Sequence, residues 1–169
     1  VSASPAADLP PALIAAGATV ELHSAASGRR EVPLDRFFLG YRQIDRRPDE
    51  LVTALLVPML PAGAREAFRK VGTRRAQAIS KVVGACRIAL DATGRISEAG
   101  FALGSVGPTT VRLRAVEQLL LGQRPDEPLA RRAEAVAREA VQPIDDLRSS
   151  ADYRRHVAGR LVYNWVLGR

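Results

Sequence analysis

The chain has 169 residues, of which 47% are hydrophobic, so it is long enough to bury roughly 70% of the surface that its unfolded form exposes. No apolar run approaches the ~18 residues that a membrane-spanning helix requires, and the amino terminus lacks the basic and apolar regions of a secretory signal. A single cysteine, Cys86, excludes an internal disulfide and a Cys-x-x-Cys metal or cluster site within this chain. We therefore expect one domain, or one domain and a further piece, in a soluble protein of the cytoplasm.

The formal net charge is +7, and nearly all of the positive charge is arginine, since Lys70 and Lys81 are the only lysines. An excess of this kind is found in proteins that bind nucleic acids. Here, however, the arginines are spread over every segment among 18 acidic residues, whereas a nucleic-acid footprint concentrates them on one face. The charge therefore favours a solvated surface, and a basic module that binds RNA or an acidic partner is the alternative.

The first third of the chain has alternating apolar runs and turn residues that predict a small mixed unit. Glycine after a helix and glycine between two alternating runs are typical of a helix C-cap and of a hairpin. The predicted elements are a helix over 12–16 ended by Gly17, a hairpin of 18–24 with 30–34 around Gly28, a helical turn capped by Asp35 and ended by Gly40, and a strand over 51–57. Because this last run is nearly all apolar and is closed by Pro58, it predicts a buried strand.

A stretch rich in proline and glycine, 59–64, predicts the boundary to a second unit. Short polar links between the next apolar runs favour an antiparallel meander with strands over 65–71, 78–91 and 96–105. Helices are then predicted from Pro108 to Gly122, from Asp126 to Pro143 and from Ser150 onward, the last with Tyr153, Val157, Leu161 and Trp165 as its packing face. This order predicts an α+β domain in which helices cover one face of a three-stranded sheet.

Few residues have the spacing that catalysis or metal binding requires. His23 and His156 stand apart from each other and from acidic clusters, so no metal-binding set is predicted. The sequence has no Gly-x-Ser-x-Gly elbow and no glycine-rich phosphate cradle, so we predict no catalytic residue. Asp145 and Asp146 are expected to cap the following helix. The residues of one parity on the middle strand, which we expect to face the core, are Val82, Cys86, Ile88 and Leu90.

Several short motifs follow one another along the chain. They occupy residues 4–11, which read Ser-Pro-Ala-Ala-Asp-Leu-Pro-Pro, and residues 29–38, 41–42, 48–58, 68–75, 79–82 and 140–155. Each motif is weak alone. Their order over essentially the whole chain resembles the FAD-binding subunit of the molybdenum hydroxylases, the group that contains xanthine dehydrogenase and carbon monoxide dehydrogenase.

The resemblance implies an α+β fold in two units. The first, 1–58, is the end of an FAD-binding subdomain, and the second, 62–169, is a three-stranded antiparallel sheet packed with a helical bundle. In that family, electrons pass from a molybdenum cofactor through 2Fe-2S clusters to FAD and then to NAD or another acceptor. The resemblance therefore implies an electron-transfer component of an oxidoreductase, whose partners are the molybdenum-cofactor large subunit and the 2Fe-2S subunit.

Three positions match cofactor-binding residues of the family: Asp8, Val52 and Lys70. By this resemblance, Asp8 accepts hydrogen bonds from ribityl or ribose hydroxyls, Val52 covers the flavin ring, and Lys70 places a cation beside it, which favours the anionic reduced flavin. Each position also has a simpler interpretation. Asp8 can cap a helix that begins at Leu9 or Pro10, while Val52 can belong to the core and Lys70 to a strand surface.

The sequence departs from the family in one respect. The family's glycine-rich segments, which wrap the FAD pyrophosphate, fall before the position of Val1, and no later segment replaces them. A pyrophosphate needs backbone N–H donors. We therefore expect an incomplete FAD site in a chain that is the carboxy-terminal part of a larger subunit and is not active alone. A further alternative is a structural domain that only makes subunit contacts.

Overall fold

The first third of the chain, with its alternating apolar residues, forms a small antiparallel sheet. The computed structural model describes residues 2–74 and 77–169. Arg75, within the motif 68–75, lies outside the described residues. The elements of this first unit are α1 (Leu9–Ala15), β1 (Thr19–Ser24), β2 (Gly28–Pro33), α2 (Leu34–Phe37), β3 (Phe38–Gly40), β4 (Gln43–Ile44) and β5 (Glu50–Leu56). β1 lies between β2 and β5 and pairs antiparallel with both. The predicted hairpin is confirmed, and α1 starts earlier than predicted because proline is compatible with a first helical turn.

β5 is not buried, so the prediction of a buried strand over 51–57 is wrong. The strand lies at the edge of its sheet, beside β1. Leu51 is 72% exposed, and Leu55 and Leu56 are exposed as well. An apolar run indicates a strand, but it does not indicate whether a second layer covers that strand. The burial of β5 is decided by sheet order and by the layers around it.

The short helix α2 also differs from its prediction. It begins at Leu34 with Pro33 at the cap position, so Asp35 lies in the first turn and does not cap the helix. The Asp35 carboxylate instead forms an ion pair with Arg114 of the second unit, and its place in the first turn is favourable to the helix dipole. Gly40 does not end the helix but is the last residue of β3.

A partly buried ion cluster ties β2 to β5 and to the loop before β5. The Arg30 guanidinium donates to the Glu50 carboxylate at 2.6 Å and to the Asp45 carboxylate at 3.1 Å. Glu50 is 2% exposed. The hydrogen bond from Arg30 is the main cause that lowers the pKa of Glu50 to about 2, against the effect of burial and together with the backbone N–H of Arg47. Glu50 is therefore ionised at neutral pH, and the cluster holds the sheet to its loop.

The rest of the chain forms a larger sheet covered by helices. Its elements are β6 (Arg65–Val71), β7 (Val82–Leu90), β8 (Ile96–Gly104), β9 (Val111–Arg112), α3 (Arg114–Leu120), α4 (Glu127–Glu139) and α5 (Ala151–Val166). The strands form an antiparallel meander in the order β6-β7-β8-β9. The α+β class and the meander are confirmed. The sheet has four strands where three were predicted, since β9 lies in the segment from Pro108 that was predicted as a helix. That helix begins only at Arg114, and β9 was missed because two strand residues are too few to show a periodicity.

The main core lies between this sheet and its helices. Phe101 of β8 packs against Trp165 of α5, with the ring centroids 6.2 Å apart. Cys86 is 3% exposed, and burial raises the pKa of its thiol to about 12, so it is a small core residue as predicted. Leu90 is 44% exposed, which contradicts its predicted place in the core, because the register shifts between Ala89 and Leu90.

Side-chain caps begin the two long helices at the predicted residues. The Asp126 carboxylate accepts from the backbone N–H of Leu129 at 2.8 Å, and the Ser150 hydroxyl accepts from that of Tyr153 at 3.2 Å. Asp145 also accepts from the first backbone N–H of α5, at 2.6 Å. Each such cap contributes about 1 kcal/mol to helix stability. Within the described residues, no helix is long and apolar enough to cross a membrane.

α1 joins the two units by lying directly on the larger sheet. Ala85 of β7 and Ala102 of β8 pack into the core of the first unit, whereas Cys86 belongs to the main core. Because successive strand side chains point to opposite faces, α1 covers the face that the other helices leave open. A Cβ at Gly100 would lie 2.1 Å from the carbonyl oxygen of Ala15. The backbone of α1 can therefore reach β8 only where that strand has a glycine.

Replacing Gly100 with Ala should separate α1 from the sheet or distort both. We expect the free energy of unfolding to fall by about 1–3 kcal/mol, the usual cost of overpacking, as measured by urea denaturation. Ser97→Ala, a change on the exposed part of the same strand, is the matched control and should have little effect. Equal stability of the two variants would contradict the close approach of α1 to Gly100.

Candidate functional site

Three polar residues meet where the loop before α1 reaches the larger sheet. The ammonium of Lys70, near the end of β6, donates to Oδ2 of Asp8 at 2.5 Å. The hydroxyl of Ser80, just before β7, donates to Oδ1 of Asp8 at 2.8 Å. We call Asp8, Lys70 and Ser80 the Asp8 cluster. Two of the three predicted site residues are thus in direct contact, although 62 positions separate them in the sequence.

The Asp8 cluster is partly open to solvent. The side chains of Asp8 and Lys70 are 46% and 32% exposed, while Ser80 is buried. Burial raises the pKa of the Asp8 carboxyl, but the hydrogen bonds from Lys70 and Ser80 and the charge of Lys70 together outweigh burial and bring the pKa below its usual value. Asp8 is therefore an anion at neutral pH, held by a cation that a ligand can also reach.

Asp8 does not cap α1, so that simpler interpretation of the residue is wrong. It occupies the position before the helix, but its side chain makes no hydrogen bond to the helix backbone, since its two oxygens accept from Lys70 and Ser80. An ammonium has three N–H donors, and a carboxylate has about four acceptor sites. The exposed side of the cluster can therefore donate to a ligand oxygen and accept from a ligand hydroxyl.

Val52 lies in an apolar groove of about 190 Å³ between α1 and the smaller sheet. The groove also contains Leu9, Leu13, Phe38 and Leu55. Val52 is half-buried and can therefore contact a ligand as well as the core. Leu9, which lines this groove, directly follows Asp8 in the chain, but Asp8, Lys70 and Ser80 do not line the groove.

Ser80 is the member of the cluster that sequence reasoning missed. It belongs to the motif 79–82, but no pattern relates it to Asp8, which lies 72 positions earlier. A serine between two strand segments has many ordinary roles, and its contact becomes visible only when α1 is packed on the sheet. Its place in a motif was the available signal, and that signal did not specify a partner.

Helices cover the larger antiparallel sheet, and α1 links that sheet to the smaller one, with the Asp8 cluster beside it. This arrangement matches the class of molybdenum hydroxylase flavoproteins. Residues 1–60 match the family described as "FAD binding domain in molybdopterin dehydrogenase". Residues 66–168 match the "CO dehydrogenase flavoprotein C-terminal domain" family. Since the second match covers more than half of the chain, the chain belongs to the CO dehydrogenase flavoprotein family. The family predicted from the order of the motifs is confirmed.

Similarity to individual proteins extends along most of the chain. The glyceraldehyde dehydrogenase medium chain of Sulfolobus acidocaldarius is 34% identical over 156 residues, which are 92% of this chain and 54% of that one. The xanthine dehydrogenase of Blastobotrys adeninivorans is 33% identical over 123 residues, 72% of this chain and 9% of that protein. This chain thus spans about half the length of the medium chain and a small part of the xanthine dehydrogenase.

A solved structure agrees with the fold. In carbon monoxide dehydrogenase from Hydrogenophaga pseudoflava, in a form that lacks the Mo-pyranopterin moiety of the molybdenum cofactor, one chain superimposes with a TM-score of 0.90 at 31% identity. The superposition covers 96% of this chain and 56% of that chain. The described fold is therefore that of the matching part of this flavoprotein class.

Replacing Asp8 with Asn should remove the negative charge of the cluster and keep an oxygen that accepts from Ser80. In the wild type, the lowered pKa of Asp8 contributes stability above its unfolded value of about 4, and this contribution is lost as the pH falls through the lower folded-state value. We expect Asp8→Asn to cost up to about 1 kcal/mol at neutral pH, since the ion pair is partly exposed. Urea denaturation at several pH values measures this.

The same measurements should show a smaller loss of stability on acidification in the variant than in the wild type. Asp152→Asn is the control, because Asp152 is an exposed aspartate whose ion-pair partner is Arg155 and not a member of the cluster. Identical pH dependence of the wild type and Asp8→Asn would show that the Asp8 cluster is not energetically coupled to folding.

Proposed function

We propose that this chain forms one wall of the FAD site in the electron-transfer flavoprotein component of a molybdenum hydroxylase. The observation that carries the proposal is the Asp8 cluster, in which a carboxylate from the region that matches an FAD-binding domain meets an ammonium from the region that matches the flavoprotein C-terminal domain. This contact joins the two matched regions at a surface that is open to solvent.

The polar groups of the cluster fit the hydroxyl and ring oxygens of FAD. The Asp8 carboxylate would accept hydrogen bonds from ribityl or ribose hydroxyls, and the free N–H groups of Lys70 would donate to oxygens at the edge of the ring. Val52, in the apolar groove that Leu9 also lines, would cover the apolar ring. FAD, when bound, would accept electrons from 2Fe-2S clusters and deliver them to NAD or another acceptor.

The pyrophosphate of FAD would be held by residues outside these 169. Two phosphate charges require backbone N–H donors, typically from a glycine-rich loop or the start of a helix, and this sequence has no such loop. Medium-chain relatives are about twice as long, which supports a site completed by further residues. We therefore propose that residues 1–58 complete the FAD-binding domain and that residues 62–169 form the carboxy-terminal domain.

The partners that fit this role are the molybdenum-cofactor large subunit and the 2Fe-2S subunit, in a cytoplasmic complex. The alternative, a basic module that binds RNA or an acidic partner, has less support, because many arginines form ion pairs with acidic neighbours. Arg30, Arg112 and Arg154, for example, each contact a carboxylate at 3.1 Å or less. A domain that makes only subunit contacts would not need an exposed lysine held beside an aspartate.

Replacing Lys70 with Met in the subunit purified at medium-chain length should lower the reduction potential of FAD. The positive charge that favours the reduced anion would be lost, and Asp8 would be left without its cation. We expect a shift on the order of 30 mV, equal to about 1.4 kcal/mol for a two-electron couple, as measured by spectroelectrochemical titration.

Lys81→Met removes the other lysine, which lies over the ring of Tyr153 at 5.4 Å, and is the control for the change in net charge. It should leave the potential nearly unchanged. If Lys70→Met retained both the wild-type potential and the wild-type affinity for FAD, Lys70 would be excluded from the site. A folded subunit that binds no FAD at all would overturn the proposed function.

A further inference from the structure

A second cavity, of about 440 Å³, lies where five separate segments of the chain converge. Pro5 and Ala6 come from the loop before α1, Tyr41 from the turn between β3 and β4, and Ser105 from the position just after β8. Arg148 comes from the loop between α4 and α5, and Arg154 from α5. We call this cavity the Ser105 pocket. Its volume is in the range of small-molecule sites, and it contains none of the residues Asp8, Val52 and Lys70.

Two polar groups of the Ser105 pocket lack hydrogen-bond partners. Ser105 is 6% exposed and Arg154 is 4% exposed, and within the described part of the chain neither the Ser105 hydroxyl nor Nε of Arg154 has a partner. Buried polar groups of native proteins are almost always paired with protein, water or ligand. A guanidinium N–H is only a donor, and a hydroxyl can donate as well. Each group can therefore donate to an oxygen-bearing acceptor that reaches it.

The backbone at Ser105 is strained in a way that preserves this arrangement. Its φ angle is +64°, in the left-handed region that non-glycine residues seldom adopt. Two hydrogen bonds stabilise this backbone conformation, one from the Ser105 N–H to the Pro5 carbonyl at 2.8 Å and one from Arg154 to the Ser105 carbonyl at 2.8 Å. Such strained residues cluster at ligand sites. The serine is thus fixed in place by segments on two sides of the pocket.

The charge of the Ser105 pocket is positive by one unit. Arg148 and Arg154 both line it, together with Asp146. Asp146 accepts from Arg154 at 2.6 Å and lies 3.4 Å from Arg148. Burial raises the pKa of Asp146, but hydrogen bonds from the Arg148 and Ser149 backbone and from Arg154 lower it further, so it stays below its usual value. One carboxylate therefore faces two guanidinium groups, and one positive charge is left uncompensated.

The remaining walls of the pocket are mainly apolar. Pro5, Ala6, Pro108 and Ile144 supply carbon surface around the polar end. A ligand with an apolar body and one anionic group would cover this surface and also meet the excess charge. A strongly hydrated ion without an apolar part would leave the carbon walls unused.

We propose that the Ser105 pocket binds a small molecule that consists of an apolar body and one carboxylate or phosphate group, with the anionic oxygens directed at Ser105, Arg148 and Arg154. The acceptors supplied by the ligand match the donors that the protein leaves unpaired. The proposal is independent of the flavin role, because it uses a different cavity and different residues.

Titration with benzoate, phenyl phosphate and inorganic phosphate, by calorimetry and by amide chemical shifts in NMR, tests the proposal. We expect saturable binding of benzoate or phenyl phosphate, with shifts at the Gly107 and Gln142 amides beside the pocket. A preference between the two aromatic probes identifies the anionic group. Inorganic phosphate should bind more weakly than phenyl phosphate, and equal affinity would contradict a role for the apolar walls.

Ser105→Ala and Arg148→Met test the pocket. Arg154 is not replaced, because it supports the fold through Ser105 and Asp146 and its loss would disturb more than the pocket. Each variant should weaken binding by about tenfold, the usual effect of a lost hydrogen bond to a charged group. Arg155→Met, on the same helix as Arg154 but paired with Asp152, is the matched control and should bind as the wild type does.

Lys70→Met should also leave benzoate binding unchanged, which separates this pocket from the proposed flavin wall. Failure of both aromatic probes to bind, or equal binding by the wild type, Ser105→Ala and Arg148→Met, would overturn the proposal. Neither of these results would bear on the flavin role of the Asp8 cluster.

Discussion

The direct contact between the backbone of α1 and β8 at Gly100 is the constraint on which the rest of the structure depends. A helix normally packs on a sheet through side chains on both elements, but here the Ala15 carbonyl occupies the space of a missing Cβ. The loop before α1 lies against one end of the strands of the larger sheet. Asp8 thereby reaches Lys70 and Ser80, and the Pro5 carbonyl reaches the N–H of Ser105. Both candidate sites arise from one packing contact.

The two sites use ion pairs in different ways. At the Asp8 cluster the partners are partly exposed, so their attraction contributes little to folding, and part of each side chain is open to solvent. At the Ser105 pocket, Arg154 is almost fully buried and holds both a carbonyl and a carboxylate. Breaking such a buried pair is costly. The first arrangement suits contact with a cofactor at a surface, and the second suits a rigid wall.

The high arginine content also has a structural explanation. A guanidinium presents several N–H donors in a fixed plane and can bridge two or more acceptors. Arg30 links β2 to Glu50 and Asp45, and Arg112 donates to both oxygens of Glu117. In these positions a lysine could not make the same set of bonds. Much of the basic charge is therefore used to connect segments of the chain.

Local sequence signals were sufficient for several elements of the fold. The caps at Asp126 and Ser150, the hairpin around Gly28 and the meander of β6 to β8 follow from short-range periodicity and turn chemistry, and motif order was enough for the family and for Asp8, Val52 and Lys70 as candidates. Tertiary structure alone decided that β5 is exposed, that Ser80 joins Asp8 and that Ser105 meets Arg154 across 49 positions. Such contacts depend on which layers cover a strand and on how closely α1 approaches Gly100. The spacing of neighbouring residues specifies neither of these.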